Sequence, residues 1–211
     1  MFIDGHTHVL EIFGITKITS AKADWVSNPD VYVITVSAEK NGNVLAGGRI
    51  HKANRKHPLP IETAVGSMEN RIYTMVEERT DEGTGELCGL WNSWEIAGLG
   101  IGSMQLSTAC VALAGLINLK TLFGLCAPAT YRNSIRGGFR VIKEIGINGK
   151  FYYPKEDLTA TSILIDDIPN LPSTYEPEKS TAMKMRNATI VSEQITAKNG
   201  QLITLHFNLK I

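Results

Sequence analysis

The chain has 211 residues, 43% hydrophobic and 7% aromatic, with 21 basic side chains against 21 acidic ones and a formal net charge of zero. That length and composition fit one globular domain with a real core. No basic excess argues for nucleic acid, and no acidic run argues for a disordered tail. From the N-terminus, Val31 to Ala38 alternates and is rich in β-branched residues, which predicts a strand. Asn41-Gly42-Asn43 signals a turn, and Val44 to His51 reads as the return strand of a hairpin. Lys52 to Pro60 reads as a loop. Met68 to Arg79 carries apolar residues at helical spacing.

Further on, Glu86 to Ser93 reads as a central strand, Gly98 to Ser103 as a glycine loop, and Met104 to Leu119 as a helix. Thr121 to Cys126 reads as a buried strand and Ala127 to Arg136 as a second helix, stopped by Gly137-Gly138. Phe139 to Ile145, Phe151 to Tyr153 and Thr159 to Asp166 read as strands. Residues 169–180 hold three of the eight prolines and read as a loop. Thr189 to Ile195 and Leu202 to Leu209 read as a closing hairpin about Asn199-Gly200. The order strand, glycine loop, helix, strand within 86–145 predicts an α/β unit with one parallel crossover pair.

Cys88, Cys110 and Cys126 are odd in number and form no C-x-x-C pair, which suits reduced thiols in a cytoplasm. The N-terminus has no charged region leading into an apolar one, so no secretory leader is expected. The apolar stretch from Leu106 to Leu119 is interrupted by Ser107, Thr108, Gly115 and Asn118, so no stable membrane insertion is expected.

Ala97-Gly98-Leu99-Gly100-Ile101-Gly102-Ser103 is the most informative stretch. Glycines between a strand and a helix let successive amides point into one concavity, with the helix dipole behind them. Such a nest holds phosphate oxygens. The spacing G-x-G-x-G is not the G-x-G-x-x-G of a dinucleotide fold, and the next strand ends in Cys126-Ala127-Pro128 without an acidic residue. The Gly-Lys-Ser/Thr of a P-loop is absent.

This stretch resembles the Q/R-x-x-G-x-G/A motif of the GNAT N-acyltransferase superfamily. The helix after it, the strand from Thr121 to Cys126 and the Gly138-Phe139 pair before the next strand match the same pattern over roughly residues 31–166. Gly47-Gly48-Arg49-Ile50, Glu86-Leu87-Cys88-Gly89-Leu90-Trp91 and Gly149-Lys150-Phe151-Tyr152-Tyr153-Pro154 look closest to N-acyl amino acid synthases and acyl-homoserine-lactone synthases. The resemblance implies a mixed, mostly antiparallel twisted sheet with a parallel, splayed central strand pair and flanking helices. It implies one domain over 1–211, comprising an N-terminal segment 1–30, a core 31–166 and a C-terminal loop and hairpin 167–211. Two positions depart from the family pattern: Ala97 stands where Gln or Arg is usual, and Ser134 where the general-acid tyrosine is usual, with Tyr131 one turn earlier.

The implied activity is transfer of an acyl group from an acyl-CoA or acyl-carrier-protein thioester to a small-molecule amine, that of an amino acid, with no metal. The donor would be held by Gly98, Leu99, Gly100, Ile101, Gly102 and Ser103, and its carbonyl polarised by amides of Trp91, Asn92 and Ser93. Glu86 is the candidate base through water, with Glu95 second. Ser134 would stabilise the leaving thiolate, and Arg49 would hold an acceptor carboxylate. An acyl-carrier protein is a candidate partner, and the C-terminal hairpin a candidate dimer edge. The alternative is a catalytically silent relative that binds an acyl ligand or partner. Ile3-Asp4-Gly5-His6-Thr7-His8-Val9 also resembles the opening H-x-H strand of metal-dependent amidohydrolases. The barrel of about 250 residues that such enzymes need is absent from the pattern, so chance or a weak surface metal site is the expectation.

Overall fold

The computed structural model describes residues 2–12, 23–39, 42–197 and 199–211. Asn41 of the first predicted turn lies outside the described residues. β1 (Val31–Ser37) and β2 (Val44–Lys52) form the expected antiparallel hairpin, in register from Val31 opposite His51. β3 (Thr84–Asn92) pairs antiparallel with β2 and parallel with β4 (Thr121–Cys126). β4 pairs antiparallel with β7 (Thr159–Ile165), which also carries β5 (Arg140–Val141) and β6 (Lys150–Tyr152). The sheet order is β1-β2-β3-β4-β7-β5, so one parallel pair sits at the centre of a mostly antiparallel sheet.

One face is covered by α4 (Leu106–Leu116), whose residues Leu106 to Ala114 are all buried. A helix apolar all round belongs in a core. Its alanines and Cys110 let it approach Ile50, Leu87, Leu122 and Ile163 closely. α6 (Glu178–Asn187) packs on α4 through Ala182 and Met185. α2 (Pro60–Val65) and α3 (Arg71–Thr80) cover the opposite face, joining Ile61, Val65 and Ile72 to Phe123 and Leu164. The hairpin of β8 (Ile190–Thr196) and β9 (Leu202–Asn208) forms a separate two-stranded sheet. Its Ile195, Ile203, Leu205 and Phe207 pack against the same core that Tyr32 and Ile34 of β1 cover.

Several expectations are corrected. α2 begins inside the stretch read as a loop, with Pro60 at its first turn, where a missing N–H costs nothing. α6 occupies part and the sequel of the proline-rich segment 169–180; its charged surface hides it from a periodicity search. Only Arg140 and Val141 of the stretch 139–145 form a strand, although Ile142 and Ile145 are buried. The helix expected from Met104 to Leu119 starts as a wide π-type turn at Ile101–Gln105 and ends at Leu116. Asn118 then takes a left-handed φ of 62° and donates its amide to Gly115 O.

The His-x-His segment lies on helix α1 (Phe2–Ile12), not on a strand. Two residues apart on a helix is about 200°, so the two imidazoles share no face. His6 is buried and His8 exposed. No cluster of three His, Cys, Asp or Glu side chains fit to hold a metal occurs among the described residues.

α6 is stapled to α4 by one arginine. Arg186 donates to Val111 O at 3.0 Å and to Ile168 O at 2.7 Å. Gly115 leaves it room, since a Cβ there would stand 2.4 Å from Arg186 Nε. Replacing Arg186 with alanine strands the Ile168 carbonyl, removes the tie to the Val111 carbonyl and opens a void. The expected loss is about 2–4 kcal/mol in urea unfolding; a loss within about 0.5 kcal/mol would show the staple to be dispensable.

Candidate functional site

Parallel pairing between β3 and β4 runs only from Thr84 opposite Thr121 to Leu87 opposite Gly124. β3 continues to Asn92 and β4 to Cys126, so the two strands open into a wedge. The cause lies on the other side of β3. Gly47 faces Trp91 while Arg49 faces Cys88, so Gly48 stands opposite two residues, Gly89 and Leu90. Gly89 holds φ 60°, a conformation suited to glycine. Such a bulge bends its strand and adds twist, which turns β3 away from β4.

The amide of Ser93, expected to face a ligand, instead donates to Leu45 O at 2.7 Å. Antiparallel alternation then turns the Trp91 amide toward β2 too, and the Asn92 amide toward the wedge. Of the three amides expected to polarise a carbonyl, only that of Asn92 is aimed to do so.

Beyond β3, a 3-10 turn at Trp94–Ile96 leads to the glycine loop. Gly98 and Gly100 take φ of 80° and 86° with no atom within 4 Å of a Cβ built on either, so their requirement is conformational. Gly102 is different: a Cβ there would stand 2.3 Å from Asn92 Cβ. It therefore seats the start of the helix directly on the open end of β3. Leu99 donates its amide to Ile96 O at 3.2 Å, which removes it from the expected set. Met104 and Gln105 both donate to Gly100 O, at 3.0 and 3.2 Å. Amides of Gly98, Gly100, Ile101, Gly102 and Ser103 have no backbone acceptor among the described residues. Orphan donors at a helix N-terminus, with the dipole aligned behind them, suit an anion.

Glu86 and Arg49 are both 1% exposed. Residues directly opposite across β2 and β3 share a face, which brings His51 beside Glu86 and Arg49 beside Cys88, on the face away from α4. Glu86 Oε2 accepts the Ile61 amide at 2.6 Å. Burial pushes the Glu86 carboxyl up to about 8, against the pull of that amide and of Arg49. Arg49 Nε donates to His51 Nε2 at 3.0 Å, and its guanidinium lies 4.4 Å from the centre of the Trp25 ring. Burial and the neighbouring guanidinium hold His51 down to about 3. Arg49 is therefore enclosed between Trp25 and His51, and an acceptor carboxylate reaches it only if the Trp25 turn (Ala23–Ser27) moves.

Ser134 lies on α5 (Pro128–Arg136), donating to Thr130 O at 3.1 Å. Its hydroxyl faces the Cys126 thiol at the end of β4, which burial pushes up to about 11 against the pull of Ser134. Ser134 thus stands on the β4 side of the wedge. Glu95 is exposed. Tyr131 lines a separate concavity of about 470 Å³ with Ile135 and Phe139. Sequence reading missed Gly89, Trp25, His51 and Ile61. His51 was within reach, because it follows Arg49 by two on a strand and so shares its face.

No protein-family model matches the chain, and no curated protein matches it in sequence. Solved structures do match. FeeM, an N-acyl amino acid synthase from uncultured soil microbes, is similar at 14% identity and TM-score 0.63, over 82% of this chain and 92% of that one. TofI, solved with an inhibitor and MTA, gives 12% identity and TM-score 0.56 over 86% and 85%. MesI, a CoA-dependent acyl-homoserine lactone synthase, gives 11% identity and TM-score 0.52 over 88% and 85%. The chain shares the fold of these solved structures, as the resemblance read from its sequence implied.

Proposed function

We propose that the chain is an N-acyltransferase that moves an acyl group from a coenzyme A or carrier-protein thioester to the amine of an amino acid. The observation that carries this reading is the juxtaposition of a wedge between β3 and β4 with the amides of Gly98 and of Gly100 to Ser103, which have no backbone acceptor among the described residues, at its mouth. Phosphate on those amides places the pantetheine arm along the wedge, with the thioester carbonyl near the Asn92 amide. Comparison proteins that share this fold include FeeM, an N-acyl amino acid synthase, and CoA-dependent acyl-homoserine lactone synthases.

The reaction needs a neutral amine. Glu86 takes one proton from the acceptor ammonium through water, because its carboxyl is sealed against Ile61. Nitrogen then forms the C–N bond, the C–S bond breaks, and one of the two remaining amine protons passes to the departing thiolate while the other stays on the amide. Ser134 turns its one proton from Thr130 O to that sulfur. Replacing Ser134 with alanine is expected to lower kcat about tenfold with donor KM unchanged; a wild-type kcat would remove Ser134 from the mechanism.

The test is incubation with acyl-CoA or acyl-carrier protein and a panel of amino acids, reading thiol release and acyl-amide mass. Thiol release that depends on one acceptor supports the proposal. Ala97 and Ser134 favour a second reading, a silent acyl-ligand binder. Donor binding without thiol release for any acceptor would select that second reading.

A further inference from the structure

A second concavity, of about 570 Å³, lies away from the wedge, between α2, α3 and the loop that follows β2. Its volume suits a small ligand. Glu62, Glu77, Glu78 and Arg55 line it, three carboxylates against one guanidinium. That guanidinium is already matched: Arg55 donates to Glu77 Oε1 and to Asp81 Oδ1, each at 2.7 Å. The same pair matches Glu77, and Glu78 lies 3.8 Å from Arg79 Nη1, so Glu62 is the one glutamate of the lining without a cation among the described residues.

Glu62 is the informative residue. It is 9% exposed and faces the cavity. Oε2 accepts the Leu59 amide at 2.6 Å, while Oε1 has no hydrogen-bond or ion-pair partner among the described residues. The Leu59 amide, at the N-cap of α2, satisfies one oxygen of this deeply placed carboxylate and leaves the other open to the cavity. Tyr73 and Val76 supply an aromatic and an aliphatic wall. The Tyr73 hydroxyl abuts Gly66, where a Cβ would stand 2.2 Å from it, so the ring is held in place.

The carboxylates do not converge as metal ligands would; no such cluster exists among the described residues. A hydrated divalent ion would also leave the aromatic and aliphatic walls without a role. An organic ammonium uses both, placing its charge on oxygen and its carbon chain along the ring.

We propose that this cavity binds a small alkylammonium ion, with the ammonium on Glu62 Oε1 and the chain against Tyr73 and Val76. The site does not depend on acyl transfer, although Ile61, the residue next to Glu62, holds Glu86 by its amide.

Isothermal titration of the full chain with butylammonium, and with butyrate as the charge-reversed control, tests the proposal without any acyl donor. Saturable binding of butylammonium alone is expected. Glu62→Gln keeps an acceptor for the Leu59 amide and should weaken binding at least about tenfold, as loss of a charge-assisted bond requires. Tyr73→Leu should weaken it severalfold. Absence of saturable binding to the wild-type chain, equal binding of butyrate, or unchanged affinity in Glu62→Gln would overturn the proposal. Should Glu62→Gln fail to fold by circular dichroism, Tyr73→Leu carries the test: severalfold weaker binding supports the proposal and unchanged affinity overturns it.

Discussion

Gly102→Ala is expected to destabilise the chain by about 1–3 kcal/mol, the usual cost of forcing an atom into a packed contact. A Cβ at 102 would meet Asn92 Cβ at 2.3 Å and Cγ at 2.8 Å, and a Cβ cannot rotate away. Relief requires the Ile101–Gln105 turn to lift off β3. That displaces the helix N-terminus from the mouth of the wedge, so donor affinity should fall by more than about tenfold as well. Asn92→Gly removes the obstructing atom, and the double variant should recover most of both losses, giving a coupling above about 1 kcal/mol. Gly98→Ala provides the contrast. It meets no neighbour but sits at φ 80°, so its cost of about 1–2 kcal/mol is backbone strain that Asn92→Gly does not relieve. A Gly102→Ala chain as stable as wild type would show that the loop is not seated on β3 as described.

Glu86→Gln has the second large effect, in two measurements that separate structure from chemistry. The Glu86 carboxyl is raised from 4.5 to about 8 by burial. Its folded value lies above its unfolded one, so its favourable contribution is complete below pH 4.5 and is lost as pH rises through about 8. Across that window wild-type stability should decline by several kcal/mol from this residue alone, to order of magnitude. Glutamine does not titrate and still accepts the Ile61 amide. The melting temperature of Glu86→Gln minus that of wild type should therefore widen steadily from pH 5 to pH 8. Parallel curves would refute a buried, raised carboxyl. His51 and His6, held at about 3 and about 4, act at the other end: their contribution is present above 6.5 and lost as pH falls. In an acyl-transfer assay, loss of the proton acceptor should lower kcat/KM by roughly 10²–10⁴. Full turnover would free Glu86 of a catalytic role while leaving its stability effect intact.

The strands were legible because their residues are. Thr121–Cys126 is a β-rich run between turn signals, and Val31–Ser37 alternates on a half-covered face. The glycine loop was legible from its place between strand and helix. What each glycine does was not, because Gly102 answers to Asn92, ten residues away, whereas Gly98 and Gly100 answer only to their own φ. The enclosure of Arg49 was hidden for a related reason: its cover is Trp25, brought over from before the first strand. Exposure is the ordinary state of an arginine, and nothing local contradicts it. The H-x-H pattern misled because it was read at a period of two. Phe2, Gly5, His6 and Val9 recur at three and four, and Gly5 packs against Trp91, where a Cβ would stand 2.2 Å from Cη2. α6 was lost behind Pro177 and a mostly polar sequence, and its burial comes from only a few side chains, Ala182 and Met185 among them.

The central claim is that the amides of Gly98 and of Gly100 to Ser103 hold the phosphate of a pantetheine-bearing donor. The direct measurement is backbone amide NMR of the labelled chain titrated with 4′-phosphopantetheine, the portion common to coenzyme A and a carrier-protein arm. Saturable shifts should centre on Gly100, Ile101, Gly102 and Ser103 and extend to Asn92, while Leu99, already bonded to Ile96 O, moves less. Saturation with no perturbation at Gly100 to Ser103, or no binding at all to the folded chain, would contradict the account.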